Sequence, residues 1–350
     1  MEANPAIPLK PLGMGQIIDR AVRLYRQNFL QYVGIVALAQ IPMLIFSATF
    51  PLMTLGIDPT AIGLQTESLI GLGIASMVSV LVGAVLTQVA VAAMTQAIAD
   101  TYLGRPTGVI EAFSRIGQAW GQLLLALLLA VFVMILLMVW AVVPCVGWLT
   151  GPGMIIFGAA VAVPLIVPIV VLERCSAAEA LSRAWQLARR RFWWLLGFML
   201  LLSILSQIVV TGPSLLLSTA LMPLVGSSLG IVGQNIIQSI SSVLLNILYL
   251  PLYTACVALL YFDIRVRTEG LDLALLAATG QGETAVTDPT TPKTPHLPPA
   301  PAPTQSLMPT QDEWVYFLAI SASLVVLYFL LFGLIMLLVF GGMALFSGGF

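Results

Sequence analysis

From Phe192 to Phe262 the chain carries no charged side chain, and the same holds for Phe29–Ile57, Ser68–Ala99, Ile116–Leu172 and Trp314–Phe346. About 20 apolar residues in a helix cross the hydrocarbon core of a bilayer, and each of these runs is at least that long. In lipid, backbone N–H and C=O groups have no water to bond, so a spanning segment of this length closes its hydrogen bonds within itself as a helix. Composition points the same way. Hydrophobic residues make up 59% of the chain and charged residues 8%, where a soluble domain is nearer a quarter charged. This chain lacks the polar side chains to cover itself in water.

Two of the runs hold two spans each. Ile116–Leu172 breaks at "PCVGWLTGPG", Pro144–Gly153, where Pro and Gly punctuate a turn. Phe192–Phe262 breaks somewhere in Thr211–Asn235, a long apolar connection for which a re-entrant segment is the alternative. Six spans result, and Trp314–Phe346 is a seventh. The N-terminus does not read as a secretory signal. Arg20, Arg23 and Arg26 precede the first apolar run, and no small-residue cleavage site follows closely.

Charge placement fixes the orientation. All 14 Lys and Arg residues lie before the first span, between spans two and three, between four and five, or after six. The alternate connections, 57–68, 144–153 and 211–235, carry none. Lys and Arg resist translocation, so the basic side is expected to be cytoplasmic and the C-terminus outside.

The densest basic stretch is "EALSRAWQLARRRFWWLLG", residues 179–197. On a helical wheel, Leu181, Ala184, Trp185, Ala188 and Phe192 share one face, and Glu179, Ser182, Arg183, Gln186, Arg189 and Arg190 share the other. The spacing of Ser176 and Glu179 predicts a capping box at the start. Such a helix is expected to lie in the membrane interface. The pattern recurs around Arg20 and Arg115, and "EAFSR" echoes "EALSR". The chain therefore reads as three repeats, each an interfacial helix followed by a two-span hairpin. The expected fold class is an all-α integral membrane protein.

Two groups of residues stand out as candidate sites. Arg183, Arg189, Arg190, Arg191, Trp193 and Trp194 form a basic and aromatic cluster suited to anionic lipid headgroups. Each hairpin also ends on an acid and then an arginine: Asp100 with Arg105, Glu173 with Arg174, Asp263 with Arg265. These ends either gather into a polar cytoplasmic pocket or cap their helices as local ion pairs. No HExxH, GxSxG, Walker or GxGxxG motif is present, and the one histidine, His296, lies outside the spans. Cys145, Cys175 and Cys256 are scattered, with no CxxC. No catalytic residue, cofactor or metal site is expected, and no nucleic-acid partner.

"MGQIIDRAVRLYRQNFLQYVGI", "VVLERCSAAEALSRAWQLARRRFWWLLG" and "LLYFDIRVRTEGLDLAL" follow one another in that order. Together they resemble the membrane domain attached to some bacterial glycerophosphodiester phosphodiesterases, over roughly residues 10–276. The resemblance implies a multipass protein of the bacterial cytoplasmic membrane. It carries no activity, because the phosphodiesterase chemistry of that family belongs to a separate soluble barrel. The expected organisation is a six-span membrane domain over 1–276, a disordered Pro-rich cytoplasmic linker over 277–312, and a C-terminal transmembrane helix over 313–350 that makes few contacts with the body. The expected function is a non-catalytic module that binds membrane lipid or a membrane protein partner. The alternative is a transporter or channel for a neutral or amphiphilic solute.

Overall fold

The computed structural model describes residues 12–53, 66–102, 108–117, 119–225, 230–273 and 309–347. There is no strand among them. Amphipathic α1 (Met14–Gln27) leads into α2 (Phe29–Met53) and α3 (Thr66–Tyr102). Helix α4 (Val109–Ile116) leads into α5 (Trp120–Val142) and then α6 (Val146–Phe157), continuous with α7 (Val163–Glu173). Helix α8 (Ala177–Arg190) leads into α9 (Phe192–Ser206), continuous with α10 (Gly212–Val225), and then α11 (Gly230–Glu269). Helix α12 (Gln311–Ser347) is C-terminal. Among the described residues six helices are long and apolar enough to cross a membrane, or up to seven if α1–α2, bent by 87°, is counted as one span. The order short helix, span, span occurs three times.

Packing follows the same threefold order. The second spans α3, α7 and α11 pack on one another at the centre. They are buried on every side: residues 90–95, 165–171 and 254–266 are covered without a break. The first spans are outside them. In α5, Leu128, Phe132 and Ile135 are each more than half exposed, toward lipid. Each short helix packs on the second span of the unit before it: α4 on α3, α8 on α7, and α1 on α11. The last pairing closes the ring, joining the first unit to the third without a covalent link.

Helices α3 and α11, of 37 and 40 residues, are about 55 and 60 Å long at 1.5 Å per residue, well over the roughly 30 Å of hydrocarbon. The short helices pack along their ends. The Leu12 N–H donates to Asp263, and Tyr25 donates to the Leu248 carbonyl. Helix α1 therefore runs antiparallel beside α11. The apolar faces of these amphipathic helices cover central helices, through Ile17, Ala21 and Leu24 in α1, and α1 turns by 87° into α2.

Of the two expected breaks, the first is narrower than expected and the second falls within its expected stretch. The α5–α6 turn is confined to Val143–Cys145, with Cys145 at φ 65°. Gly147, Gly151, Pro152 and Gly153 belong to α6. The glycines admit neighbouring helices: a Cβ on Gly151 would come within 2.7 Å of Ala141 Cβ, and one on Gly153 would overlap the Phe317 carbonyl. Small residues permit such backbone approach in membranes, where burial from water no longer drives helix association. The Thr211–Asn235 connection is likewise helical up to Val225, and α11 begins at Gly230. Two π-helical turns, Gly158–Ala162 and Gln207–Thr211, end two residues before Pro164 and Pro213. The wider turn takes up the clash between a proline ring and the carbonyl four residues back, so both helices continue through their prolines.

Helix α12 is part of the body, against the expectation of few contacts. It packs on α6. The Gly153 N–H donates to Ser321 Oγ at 2.8 Å. Glu313 pairs with Arg189, and both side chains are buried. Phe317 enters a ring cluster with Phe157, Trp185 and Phe192. The expected linker over 277–312 falls almost wholly outside the described residues.

Candidate functional site

The acids that end the three second spans all meet cations, and for Asp100 and Glu173 the partner lies on the following short helix, where local helical spacing does not name it. Asp100 at the end of α3 pairs with Arg115 of α4 at 3.1 Å, and Arg115 also reaches Glu111 at 2.6 Å. Glu173 at the end of α7 pairs with Arg183 of α8. Arg115 and Arg183 occupy the same position in their repeats, so two seams are built alike. The third seam differs. Asp263 accepts from the Leu12 N–H at 2.6 Å and from Arg267 at 2.9 Å. Arg20, the first-repeat counterpart, donates instead to the Tyr102 hydroxyl at 3.1 Å, and that ring stacks on Phe262.

The Glu173 seam extends into a buried network. Arg183 donates to both oxygens of Glu269, at 2.7 and 2.9 Å. Arg265 donates to Glu269 at 2.9 Å and to the Tyr261 hydroxyl at 3.2 Å, and Tyr261 donates to Glu173 at 2.6 Å. Side-chain exposure is 7% for Arg183, 3% for Glu173, 6% for Glu269 and 2% for Arg265. Two guanidinium groups face two carboxylates, so the charges balance. Burial disfavours the charge on Arg183, but the hydrogen bonds and charges of Glu173 and Glu269 outweigh it and hold its pKa above the usual arginine value. This arrangement ties α7, α8 and α11 together.

The expected acid and arginine groups are therefore partly reunited. Glu173 and Arg265 belong to one network, 3.9 Å apart. Asp100 and Asp263 stand in separate pairs. Arg174 is exposed, in left-handed backbone at φ 52°, and caps α7. Arg105 lies outside the described residues. Glu269 and Tyr261 are the members that sequence reasoning misses, and it assigns Arg183 to the headgroup cluster instead. The one local signal for Glu269 is its i,i+4 spacing from Arg265.

Two arginines of the basic and aromatic cluster at 183–194 are taken up by buried carboxylates. Arg183 faces Glu173 and Glu269, and Arg189 faces Glu313. Neither is on a wet face. Arg190 donates to the Thr268 carbonyl at 3.2 Å. The Arg191 guanidinium lies over the Trp194 ring at 4.7 Å. Trp193 is half exposed and meets Phe192 and Tyr316 edge-on.

Comparison with protein-family models, with curated proteins and with solved structures finds no match for this chain. Among the described residues no three His, Cys, Asp or Glu side chains gather into a metal-binding arrangement. Cys175, in the α7–α8 connection, has its thiol pushed up to about 11, by burial first and then by the charge of Glu173. It stays a thiol at neutral pH and lacks the thiolate character of a nucleophile. At the start of α8 the Ser176 hydroxyl and N–H both donate to Glu179, holding its carboxyl below the usual value. A depressed carboxylate stabilises the fold above its unfolded pKa and loses that contribution as pH falls through the folded value, so this cap weakens only in acid.

Proposed function

We propose that this chain is a non-catalytic membrane module that binds lipid or a membrane protein partner. The carrying observation is the packed centre. Where α3, α7 and α11 meet, Ala92, Met94, Ile166, Val170, Ala258 and Tyr261 are 0–1% exposed. A solute path along the repeat axis would need polar, open space there, so this packing favours a binding module over a transporter. The paired and balanced charges at the basic end support a structural role for the acids better than an acid–base role.

The test is reconstitution. Proteoliposomes holding the full chain are expected to leak small neutral solutes no faster than protein-free vesicles, while the purified chain retains phospholipid or a membrane protein. Protein-dependent flux would replace the proposal with the transport reading.

The same proposal places the chain in the bacterial cytoplasmic membrane, as the resemblance to the phosphodiesterase-associated membrane domain implies, with its basic end inside. The native cysteines test the orientation. Cys145 is exposed at the α5–α6 turn, whereas Cys256 is buried. An impermeant thiol reagent is expected to label Cys145 in intact cells, and Cys145→Ser to abolish that labelling. Labelling of Cys145 only after the membrane is opened would invert the topology.

A further inference from the structure

We infer that the outward face of α1 binds the phosphate of an anionic phospholipid, in a cleft of about 430 Å³ lined by Asp19, Val22, Arg23, Arg26 and Gln27. The inference rests on the lipid-binding reading above and moves the headgroup site from α8 to α1.

The three short helices use their arginines differently. Helix α4 commits Arg115 to Asp100, and α8 commits Arg183 and Arg189 to buried carboxylates. Helix α1 turns Arg20 onto Tyr102 but keeps Arg23 and Arg26 open. The Arg23 side chain is 69% exposed and pairs at 3.1 Å with Asp19, itself 72% exposed. Arg26, one turn on, is exposed as well. Two guanidinium groups and one carboxylate leave the cleft with a net positive charge. An arginine in the last turn of a helix also complements the helix dipole. That accounts for Arg26, but not for the exposed Arg23 or the concavity between them.

Position identifies the source of the phosphate. The apolar span α2 begins two residues beyond Gln27, and its first residues face outward: Phe29 is 42% and Leu30 85% exposed. Tyr25 meets Phe29 edge-on at 5.2 Å while its hydroxyl donates to the Leu248 carbonyl. Polar surface with arginines thus passes within one turn into apolar surface with aromatic rings, the sequence of environments at a headgroup boundary. A phosphate held by Arg23 and Arg26 would have acyl chains continuing over Phe29 and Leu30. A free phosphate would leave that apolar surface unused.

The experiment uses the full chain in bilayers of phosphatidylglycerol or phosphatidylcholine, followed by native mass spectrometry of the lipid that stays bound. Each arginine near a membrane surface contributes about 1 kcal/mol toward an anionic headgroup, or about fivefold in retention. Arg23→Gln and Arg26→Gln are each expected to lower phosphatidylglycerol retention by about that factor. Asp19→Asn should raise it, and Arg190→Gln with Arg191→Gln should leave it unchanged. All these side chains except Arg191 are exposed, so an unchanged unfolding midpoint is expected for the α1 variants. Inorganic phosphate at millimolar concentration is expected not to displace the lipid. Displacement by phosphate would overturn the lipid assignment in favour of a free anion. Retention that is present but indifferent to Arg23 and Arg26 would overturn the site and leave the lipid-binding reading intact. If the unaltered chain retains no phosphatidylglycerol, the lipid-binding reading fails and the site fails with it.

Discussion

Replacing Gly153 by alanine is expected to lift α12 off α6. One methyl suffices, because a Cβ there would overlap backbone atoms of Phe317, and backbone cannot swing aside as a side chain can. Either the two helices separate or one slides, and sliding breaks the Gly153–Ser321 hydrogen bond and moves Glu313 from Arg189. Overpacking of this kind costs about 1–3 kcal/mol, which corresponds to roughly five- to hundredfold in the bound fraction. A protease site placed at 290–305 makes that fraction measurable. After cleavage, α12 is expected to copurify with the rest of the chain, and Gly153→Ala to release it. Arg189→Gln should release it too, since it strands the buried Glu313 carboxylate. Copurification undiminished in both variants would mean that α12 is held elsewhere. Loss of α12 from the unaltered chain would restore the picture of a loosely tethered span.

Long-range pairing explains what the sequence could and could not reveal. The spans and their recurring order follow from where charge is absent, a property each segment carries by itself. The orientation of Leu181, Ala184 and Trp185 on one face of α8 was legible for the same reason. Arg183 was not. A helical wheel assumes that one side of the helix meets water, whereas α8 is packed between α5 and α7 and reaches the end of α11. The partners Glu269 and Glu313 lie 86 and 124 residues away from Arg183 and Arg189. No local period reports a contact at that distance. The "TGPG" segment misled for a different reason. Pro and Gly mark turns where water competes for the backbone. In lipid the helix is the only economical conformation, and glycine there marks a neighbour's approach.

Arg183→Ala is expected to destabilise the chain more than removal of any other arginine of the three short helices. The substitution leaves Glu173 and Glu269, 3% and 6% exposed, to share Arg265 alone. Stranding a buried charge in this way costs about 3–5 kcal/mol. Its repeat counterpart is a control built into the fold. Arg115 makes the same kind of seam with Asp100, but its side chain is 36% exposed and water can replace part of the pair. Arg23, more exposed again, should matter least, since open surface pairs contribute about 0–1 kcal/mol. The expected order of unfolding midpoints in detergent is therefore Arg183→Ala lowest, Arg115→Ala intermediate and Arg23→Ala near the unaltered chain. Arg183→Lys should recover part of the loss, because it restores the charge but not the fork that reaches two carboxylates at once. A midpoint for Arg115→Ala at or below that of Arg183→Ala would show that the buried network is not what fastens α8 to the centre. The order also bears on the ring. Arg20 reaches Tyr102 while Asp263 is held by Leu12 and Arg267, so the seam between the first and third units does not depend on a matching arginine pair. Arg20→Ala is therefore expected to lower the midpoint less than Arg115→Ala.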